Sequence, residues 1–467
     1  MKRTKNIKKT SSYKSRKSPQ SKTRKTFKPT FAIFSFLVII FLIVIMVIFK
    51  IINLAVNPNN PFFPKLEISL KDITVEELDC NGSETTYENN SGKLITSSQS
   101  IQIENLAIKT RGNSTIALAK KPYQIKLANK ISLFDLAPAK KWVLLANYLD
   151  PSYLRTDIAY YLERVLQEDH ALNGNFLELY IDDSYRGLYY LSEKIENAKN
   201  RINLHDELGA IFEIDNLHTI PSDCYYSSNH DCITIHDEVN TDYASITSNI
   251  FLSKYNKLES AVSKKDYSMV EELVDVDSFA KYFLLSEFTA NPDAYSSSFF
   301  MYLDGPTDKL HAGPGWDFDF SLSNRGWGAD NINSLSPDED TMFKDSLSKQ
   351  ILNGDTTDAH ISTVSSIFYD LMEIPEFKQR VREIYQETLS SKKDELLKYI
   401  QKQANYIRPA ALRDQERWKL PNNFDNEVEY LIDWVSKRYN HFEQTYGSNS
   451  NELIQDPNLE FQPPSVE

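Results

Sequence analysis

Asp277–Asp304 reads DSFAKYFLLSEFTANPDAYSSSFFMYLD, and Gly313–Asp319 shortly after it reads GPGWDFD. Residues 277–290 carry apolar side chains at helical spacing and predict an amphipathic helix ending at Ala290. Asn291-Pro292 breaks it, and Asp293 follows in a turn. Ser298–Tyr302 is a short apolar strand, Asp304-Gly-Pro-Thr307 a turn, and Leu310–Ala312 is placed to pair back. Gly315-Trp-Asp-Phe-Asp319 then presents Asp317 and Asp319 two residues apart. Hard cations bind through one or two carboxylates together with phosphate oxygens. Phosphoryl transfer uses one aspartate for the hydroxyl proton and another, past a hairpin, for the metal. The order helix, loop aspartate, hairpin, metal aspartate fits that chemistry. Aspartate is also a common turn residue for local reasons, so this block alone leaves Asp293 open between the two roles.

Working upstream, the text turns strand-like. Leu66-Glu-Ile-Ser-Leu70, Ile101–Ile103 and Tyr123-Gln-Ile-Lys-Leu127 alternate, and residues 79–99 read as a long polar loop. Alternation puts Gln124 and Lys126 on one face of their strand, where a lysine can pair nucleotide phosphates or simply face water on an edge strand. Arg111-Gly-Asn-Ser-Thr115 is a turn whose Arg111, Asn113 and Ser114 can cover phosphates, although it is neither G-x-G-x-x-G nor a P-loop. Residues 152–167 predict a helix with Ser152 as N-cap. Phe176–Ile181 and Gly187–Leu191 predict a hairpin, Ala210–Ile214 a further strand, and 215–242 a polar insert. Downstream, helices are expected at 243–264 and through most of 340–446, strongest in 375–402 and 424–446. The body therefore runs from a strand-rich half to a helical half.

Charge divides the chain differently. Residues 1–30 hold twelve basic side chains and no acidic one, residues 31–49 are uncharged, and residues 51–467 carry a net charge of −26. An acidic body excludes a duplex-DNA binder, and 12% aromatic with 41% hydrophobic residues excludes disorder. Residues 31–56 are long enough for a transmembrane helix. No small-residue cleavage site follows them, and the basic tail places the body outside the cytoplasm. The domains read as a basic cytoplasmic tail (1–30), an anchor (31–56), a linker (57–64), a strand-rich lobe (65–215), a helical lobe (216–446) and a flexible tail (447–467). Cys224 and Cys232 are spaced to close a small loop, which would leave Cys80 free; the sequence does not decide the pairing.

Several blocks in one order then carry a resemblance: TRGNST (110–115), KKPYQIKL (120–127), KKWVLLANYLDPSYLRTDIA (140–159), LELYIDDSYRGLYYLSEKIE (177–196), NRINL (200–204), and the two stretches quoted first. Over roughly residues 100–325 the chain resembles the CotH kinase family, spore coat protein H-like secreted or surface proteins with an atypical kinase fold. The resemblance implies an α+β, two-lobed kinase-like domain, here behind one N-terminal transmembrane helix. It implies ATP- and Mg²⁺- or Mn²⁺-dependent phosphorylation of serine or threonine in a protein partner with serine-rich segments, in coat or envelope assembly, with no nucleic acid bound beyond the nucleotide. By position Asp293 looks like the catalytic aspartate and Asp317 like the metal aspartate, with Asp319 beside it. Lys126 is the first choice for the nucleotide lysine, with Lys120 and Lys121 competing, and Glu193 ends a strand placed to face adenine. Asp150 and Arg155 fit either a structural or a phosphate role. The family often has an asparagine a few residues after the loop aspartate; this chain has Ser296-Ser-Ser298.

Two other classes compete. A surface binding protein on a kinase scaffold would act as an adhesin or assembly factor without catalysis, since a fold does not fix a function. A metal hydrolase using Asp317 and Asp319 would ordinarily recruit histidines, and the eight in this chain form no tight cluster in sequence.

Overall fold

The computed structural model describes residues 62–448 apart from 81–84, 113–114, 217–220, 292, 327–335 and 339–366. The chain divides into two units, 1–61 and 62–467, and every described residue lies in the second.

Seven strands close a barrel: β1 (Lys65–Ser69), β2 (Tyr87–Ile95), β3 (Ser100–Thr110), β4 (Tyr123–Ile131), β5 (Ala139–Leu145), β6 (Gly174–Ile181) and β7 (Ser184–Ser192), in the order β1-β2-β3-β4-β5-β7-β6. Closure is made by a parallel pairing of β1 with β6, Leu66 opposite Leu179. Alternation along each strand fills the interior, as β4 shows with Tyr123, Ile125 and Leu127 buried and Lys126 exposed. Trp142 and Tyr189 complete this core.

A second sheet follows the order β12-β11-β8-β10-β9, built from β8 (Ala210–Ile214), β9 (Tyr225–Tyr226), β10 (Cys232–Glu238), β11 (Phe299–Leu303) and β12 (His311–Ala312). It shares a core with the helices, including Ala244–Ser263, Val276–Thr289, Pro375–Thr388, Lys393–Trp418 and Phe424–Tyr446. Phe212 of β8 stacks on Phe251 at 3.8 Å.

The expectation of two lobes, a strand-rich one and a helical one, does not hold. The strand-rich half is a closed barrel, and the body is one compact unit rather than two lobes. The reason is visible at the barrel wall, where the helix Lys393–Trp418 docks directly. Arg413 pairs with Glu178 at 2.8 Å, Asp414 with Lys120 at 2.8 Å, and the Trp418 indole N–H donates to the Arg186 carbonyl at 3.0 Å. The proposed anchor, residues 31–56, lies outside the described residues; among those described, no helix is long and apolar enough to cross a membrane.

Local expectations fared unevenly. The helix read at 277–290 is present as Val276–Thr289, with the Asp275 side chain accepting the Ser278 N–H and Ala290 closing it in the left-handed conformation (φ 47°). The loop read at 79–99 contains β2 instead. Its sequence is polar, yet it supplies the partner that both β1 and β3 require, and buried Asn90 donates to the carbonyls of Tyr87 and Leu106 across a bulge. The insert at 215–242 holds β9 and β10, joined by a Cys224–Cys232 disulfide that leaves Cys80 free. The helix read from Ser152 begins at Arg155. The Asp150 carboxylate, rather than Ser152, receives the Arg155 N–H at 3.0 Å.

Candidate functional site

A cleft of about 350 Å³ opens between the barrel mouth and the second sheet. The barrel contributes Lys109 and Gln124 from β3 and β4, the turn at Arg111-Gly112, and the β5 exit at 145–148. Thr156 and Tyr160 of the helix Arg155–Val165 form one wall. Lys194, just past β7, Glu213 and His236 of the second sheet, and Ser298, Trp316, Asp317, Asp319 and Phe320 also line it.

The cleft is charged in two parts. Its acidic part is the pair Asp317 and Asp319. Asp317 is exposed and held at φ 64°, a conformation that costs a non-glycine residue energy and must be imposed by its surroundings. Burial pushes the Asp319 carboxyl well above the usual range, and the negative charges of Asp317, Asp150 and Asp293 push it further. A bound cation would oppose this crowding of negative charge.

The loop is fixed from behind. Asn324 Nδ2 donates to the carbonyls of Leu149 (3.1 Å) and Asp319 (2.5 Å). Fully buried Arg155 pairs with Asp150 and with Glu427 (2.8 Å), while its Nε donates to the Ser321 carbonyl at 3.0 Å. Glu163, also fully buried, accepts the Gly315 N–H at 2.5 Å and the Leu172 N–H at 3.2 Å. Thus the LDPSYLR segment acts on the site through the 315–324 loop, which decides the two readings of Arg155 and Asp150 in favour of a structural tether.

The cationic part is Lys109, Arg111 and Lys194. Arg111 lies 5.3 Å over the Trp316 ring; burial lowers its pKa, offset by Asp317, Tyr160 and Glu213. Burial also lowers Lys194, and Lys141 adds to the shift. His236 places Nε2 3.1 Å from the Ile195 carbonyl and Nδ1 3.4 Å from Glu213.

Three of the sequence candidates, Arg111, Asp317 and Asp319, come together in this cleft. Asn113 and Ser114 lie outside the described residues. Asp293 stands off the lining, in a turn where its carbonyl accepts the N–H groups of Ser296 and Ser297, but its charge reaches Asp319. Lys126 is exposed on the outer face of β4, opposite Ala107 and Lys141 and one strand period beyond cleft-lining Gln124. The alternation was right and the position along the strand was not. Lys120 touches the cleft floor, but its ammonium is committed to Asp414 and to the Ala146 and Leu188 carbonyls. Lys121 donates to the Ile116 carbonyl. Glu193 pairs with Arg201 at 2.8 Å and accepts the Asn173 N–H, away from the lining residues.

Sequence reading missed Lys109, Lys194, Glu213 and His236. Lys109 was within reach, since it sits opposite Gln124 in the β3–β4 register and shares its outward parity. Lys194 stood inside the quoted YYLSEKIE block without a periodic signal to single it out.

The donor set fits a divalent cation bound chiefly through phosphate. Asp317 and Asp319 supply two carboxylates, and Mg²⁺ commonly takes one or two, with phosphate oxygens and water completing its shell. Among the described residues no group of three or more acidic, histidine or cysteine side chains is arranged to hold a metal unaided.

A family model described as CotH kinase protein matches residues 108–442, a span that includes every residue of the cleft. No curated protein matches the chain.

Proposed function

The chain belongs to the CotH kinase protein family, and from that premise we propose that it transfers the γ-phosphoryl group of ATP to serine or threonine hydroxyls of a protein. The carrying observation is the pairing, in one cleft, of a cationic part (Lys109, Arg111, Lys194) with an acidic pair (Asp317, Asp319). A nucleotide triphosphate with its cation has the complementary pattern. Arg111 and Lys194 bind phosphate oxygens, their positive charge meeting charge that builds on the transferring group. Asp317 and Asp319 hold the cation, which would neutralise that charge. Asp293 accepts the proton of the attacking hydroxyl as the new O–P bond forms and the bond to the leaving diphosphate breaks. Arg155, Asn324 and Glu163 hold the 315–324 loop and touch none of the reacting atoms.

The Cys224–Cys232 disulfide supports work in an oxidising compartment outside the cytoplasm. A role in spore coat or cell-envelope assembly, on partners with serine-rich segments, is consistent with it. One observation favours a second reading, a binding protein on the same scaffold: in the Ser296-Ser-Ser298 stretch, where the family often has an asparagine, the Ser297 hydroxyl is committed to Asp215 at 2.9 Å. Labelled ATP with Mg²⁺ or Mn²⁺ and a serine-rich acceptor separates the two. Transfer abolished by Asp317→Asn and weakened at least tenfold by Lys194→Met supports the kinase. No transfer by the wild type, with coat or surface assembly intact in Asp293→Asn/Asp317→Asn, supports the binding protein.

A further inference from the structure

Away from the cleft, the disulfide hairpin is connected to the turn that carries Asp293 by an unbroken series of hydrogen bonds. Cys232 donates its N–H to Asn216 Oδ1 at 2.7 Å, and its carbonyl accepts the Asp215 N–H at 3.2 Å. Asn216 in turn donates its N–H to the Ser296 carbonyl at 2.8 Å, and the Ser297 hydroxyl donates to Asp215 Oδ1 at 2.9 Å. Ser296 and Ser297 donate their N–H groups to the Asp293 carbonyl at 3.0 and 2.9 Å. Asp215, Ser296 and Ser297 are all buried, so water does not readily substitute for these partners.

The hairpin itself is seated firmly. Glu259, on the helix Ala244–Ser263, accepts the Ser227 hydroxyl at 2.7 Å and the Ser228 N–H at 3.1 Å. Asp231 accepts from the Tyr255 hydroxyl at 3.0 Å and from Asn216 Nδ2 at 3.1 Å. Asn216 is thus gripped on both sides, by Cys232 through its carbonyl oxygen and by Asp231 through its amide nitrogen. It has no freedom to follow the 293–297 turn; the turn must follow it. The turn is also held by its own residues and by the helix before it, Asp293 N–H donating to Asn291 Oδ1 at 3.2 Å and the Tyr282 hydroxyl to the Ala294 carbonyl at 2.6 Å, while Ser296 and Ser297 tie its far end to Asn216 and Asp215.

We propose that Asp215 and Asn216 are positioning residues for the Asp293 turn, and that the Cys224–Cys232 hairpin braces them, the closed disulfide completing a brace that the hydrogen bonds to Glu259 and Asp231 begin. The proposal rests on the reading of Asp293 as the proton acceptor. It gives Ser297 a role within the Ser296-Ser-Ser298 stretch, since its hydroxyl holds the turn to Asp215. It also makes the enzyme dependent on an oxidising compartment: a chain still reduced would carry an incompletely braced turn.

The test uses the full-length protein with two independent readouts. The first is amide hydrogen exchange over 293–298 compared with 313–319, in the oxidised wild type, the wild type treated with a phosphine reductant, Cys224→Ser/Cys232→Ser, and Ser297→Ala. The expected result is at least tenfold faster exchange in 293–298 with 313–319 unchanged. The second is steady-state phosphorylation. Reduction or Ser297→Ala lowers kcat at least tenfold while KM for ATP stays within twofold, and Ser297→Thr, which keeps the hydroxyl, restores kcat. Unchanged exchange in 293–298 overturns the proposal, as does acceleration spread evenly over the whole body, which would make the disulfide a general stabiliser. If the oxidised wild type transfers no phosphate, the kinase reading fails while the exchange arm still decides whether the brace exists. Should Asp215→Ala fail to fold, Ser297→Ala breaks the same hydrogen bond from the other side.

Discussion

Replacing Lys120 by methionine tests whether this lysine serves the nucleotide or the fold. Its ammonium is fully buried, pairs with fully buried Asp414 at 2.8 Å, donates to the Ala146 carbonyl at 2.7 Å and to the Leu188 carbonyl, and lies 4.6 Å from the Tyr189 ring centre. Burial works against both charges, pushing Lys120 down and Asp414 up, and each is offset first by the other. Methionine keeps most of the volume and removes the charge, leaving the Asp414 carboxylate with the Tyr153 hydroxyl and the Leu188 N–H as partners. Breaking a buried pair from one side costs about 3–5 kcal/mol, because the remaining charge is uncompensated. With an unfolding entropy of about 2.1 cal/mol/K per residue, a body of this size loses roughly 4–7 °C in Tm. Calorimetry and urea unfolding would measure it. The double variant Lys120→Met/Asp414→Asn should recover part of the loss, since the stranded charge is gone, with a coupling of about 1–3 kcal/mol. Lys126→Met, on the exposed outer face of β4, should stay within about 0.5 kcal/mol of wild type and leave ATP affinity unchanged. The reasoning is refuted if Lys120→Met keeps wild-type stability within about 1 kcal/mol while ATP affinity falls tenfold or more.

Two further outcomes follow from the loop that holds Asp317. Burial pushes the Glu163 carboxyl up to about 8, against which the Gly315 and Leu172 N–H groups pull only partly, so the native state keeps a proton that the unfolded chain releases near pH 4.5. Stability therefore falls as pH rises from about 4.5 to 8, by up to ~5 kcal/mol for this group; Glu163→Gln should flatten that fall in urea titrations run across the range, and an unaltered slope would count against it. Gly315→Ala would place a Cβ 2.6 Å from the Phe318 ring and 2.8 Å from both Glu163 Oε1 and Leu285; overpacking of this kind costs about 1–3 kcal/mol, and calorimetric Mg²⁺–ATP binding should weaken at least tenfold with the displaced loop.

What the sequence made legible depended on how local the signal was. The helix ending at Ala290 and the short strand expected at Ser298–Tyr302 and present as Phe299–Leu303 are each written within about a dozen residues, and the two carboxylates of GWDFD, two residues apart, both line the cleft. Strand β2 was not legible, because YENNSGKLI has few apolar residues and becomes a strand through the needs of its neighbours. Barrel closure was equally hidden. It rests on a parallel pairing between strands more than a hundred residues apart, which no window of sequence records. The docking of Lys393–Trp418 on the barrel, which makes the body one unit, depends on Asp414 meeting Lys120 across a still longer stretch of sequence.

The same distinction explains why sequence reading named both acidic residues of the cleft, Asp317 and Asp319, but of its cations only Arg111 and not Lys109 or Lys194. Asp317 and Asp319 are neighbours in the chain, so their proximity is guaranteed before any folding occurs. Lys109 and Arg111 lie two residues apart at the end of β3, and only the course of the chain past β7 brings Lys194 to them. Alternation on β4 gave the right face for a lysine but could not say which rung of the ladder reaches the cleft. That rung is Gln124, and its partner across the pair, Lys109, carries the charge that was sought two residues further on at Lys126. A cation-binding carboxylate pair can be specified by one short turn, whereas a phosphate-binding set that joins the end of β3 to the chain past β7 is specified by how the barrel closes. The sequence search for such a set should therefore follow strand registers rather than single lysines, and here it leads to Lys109.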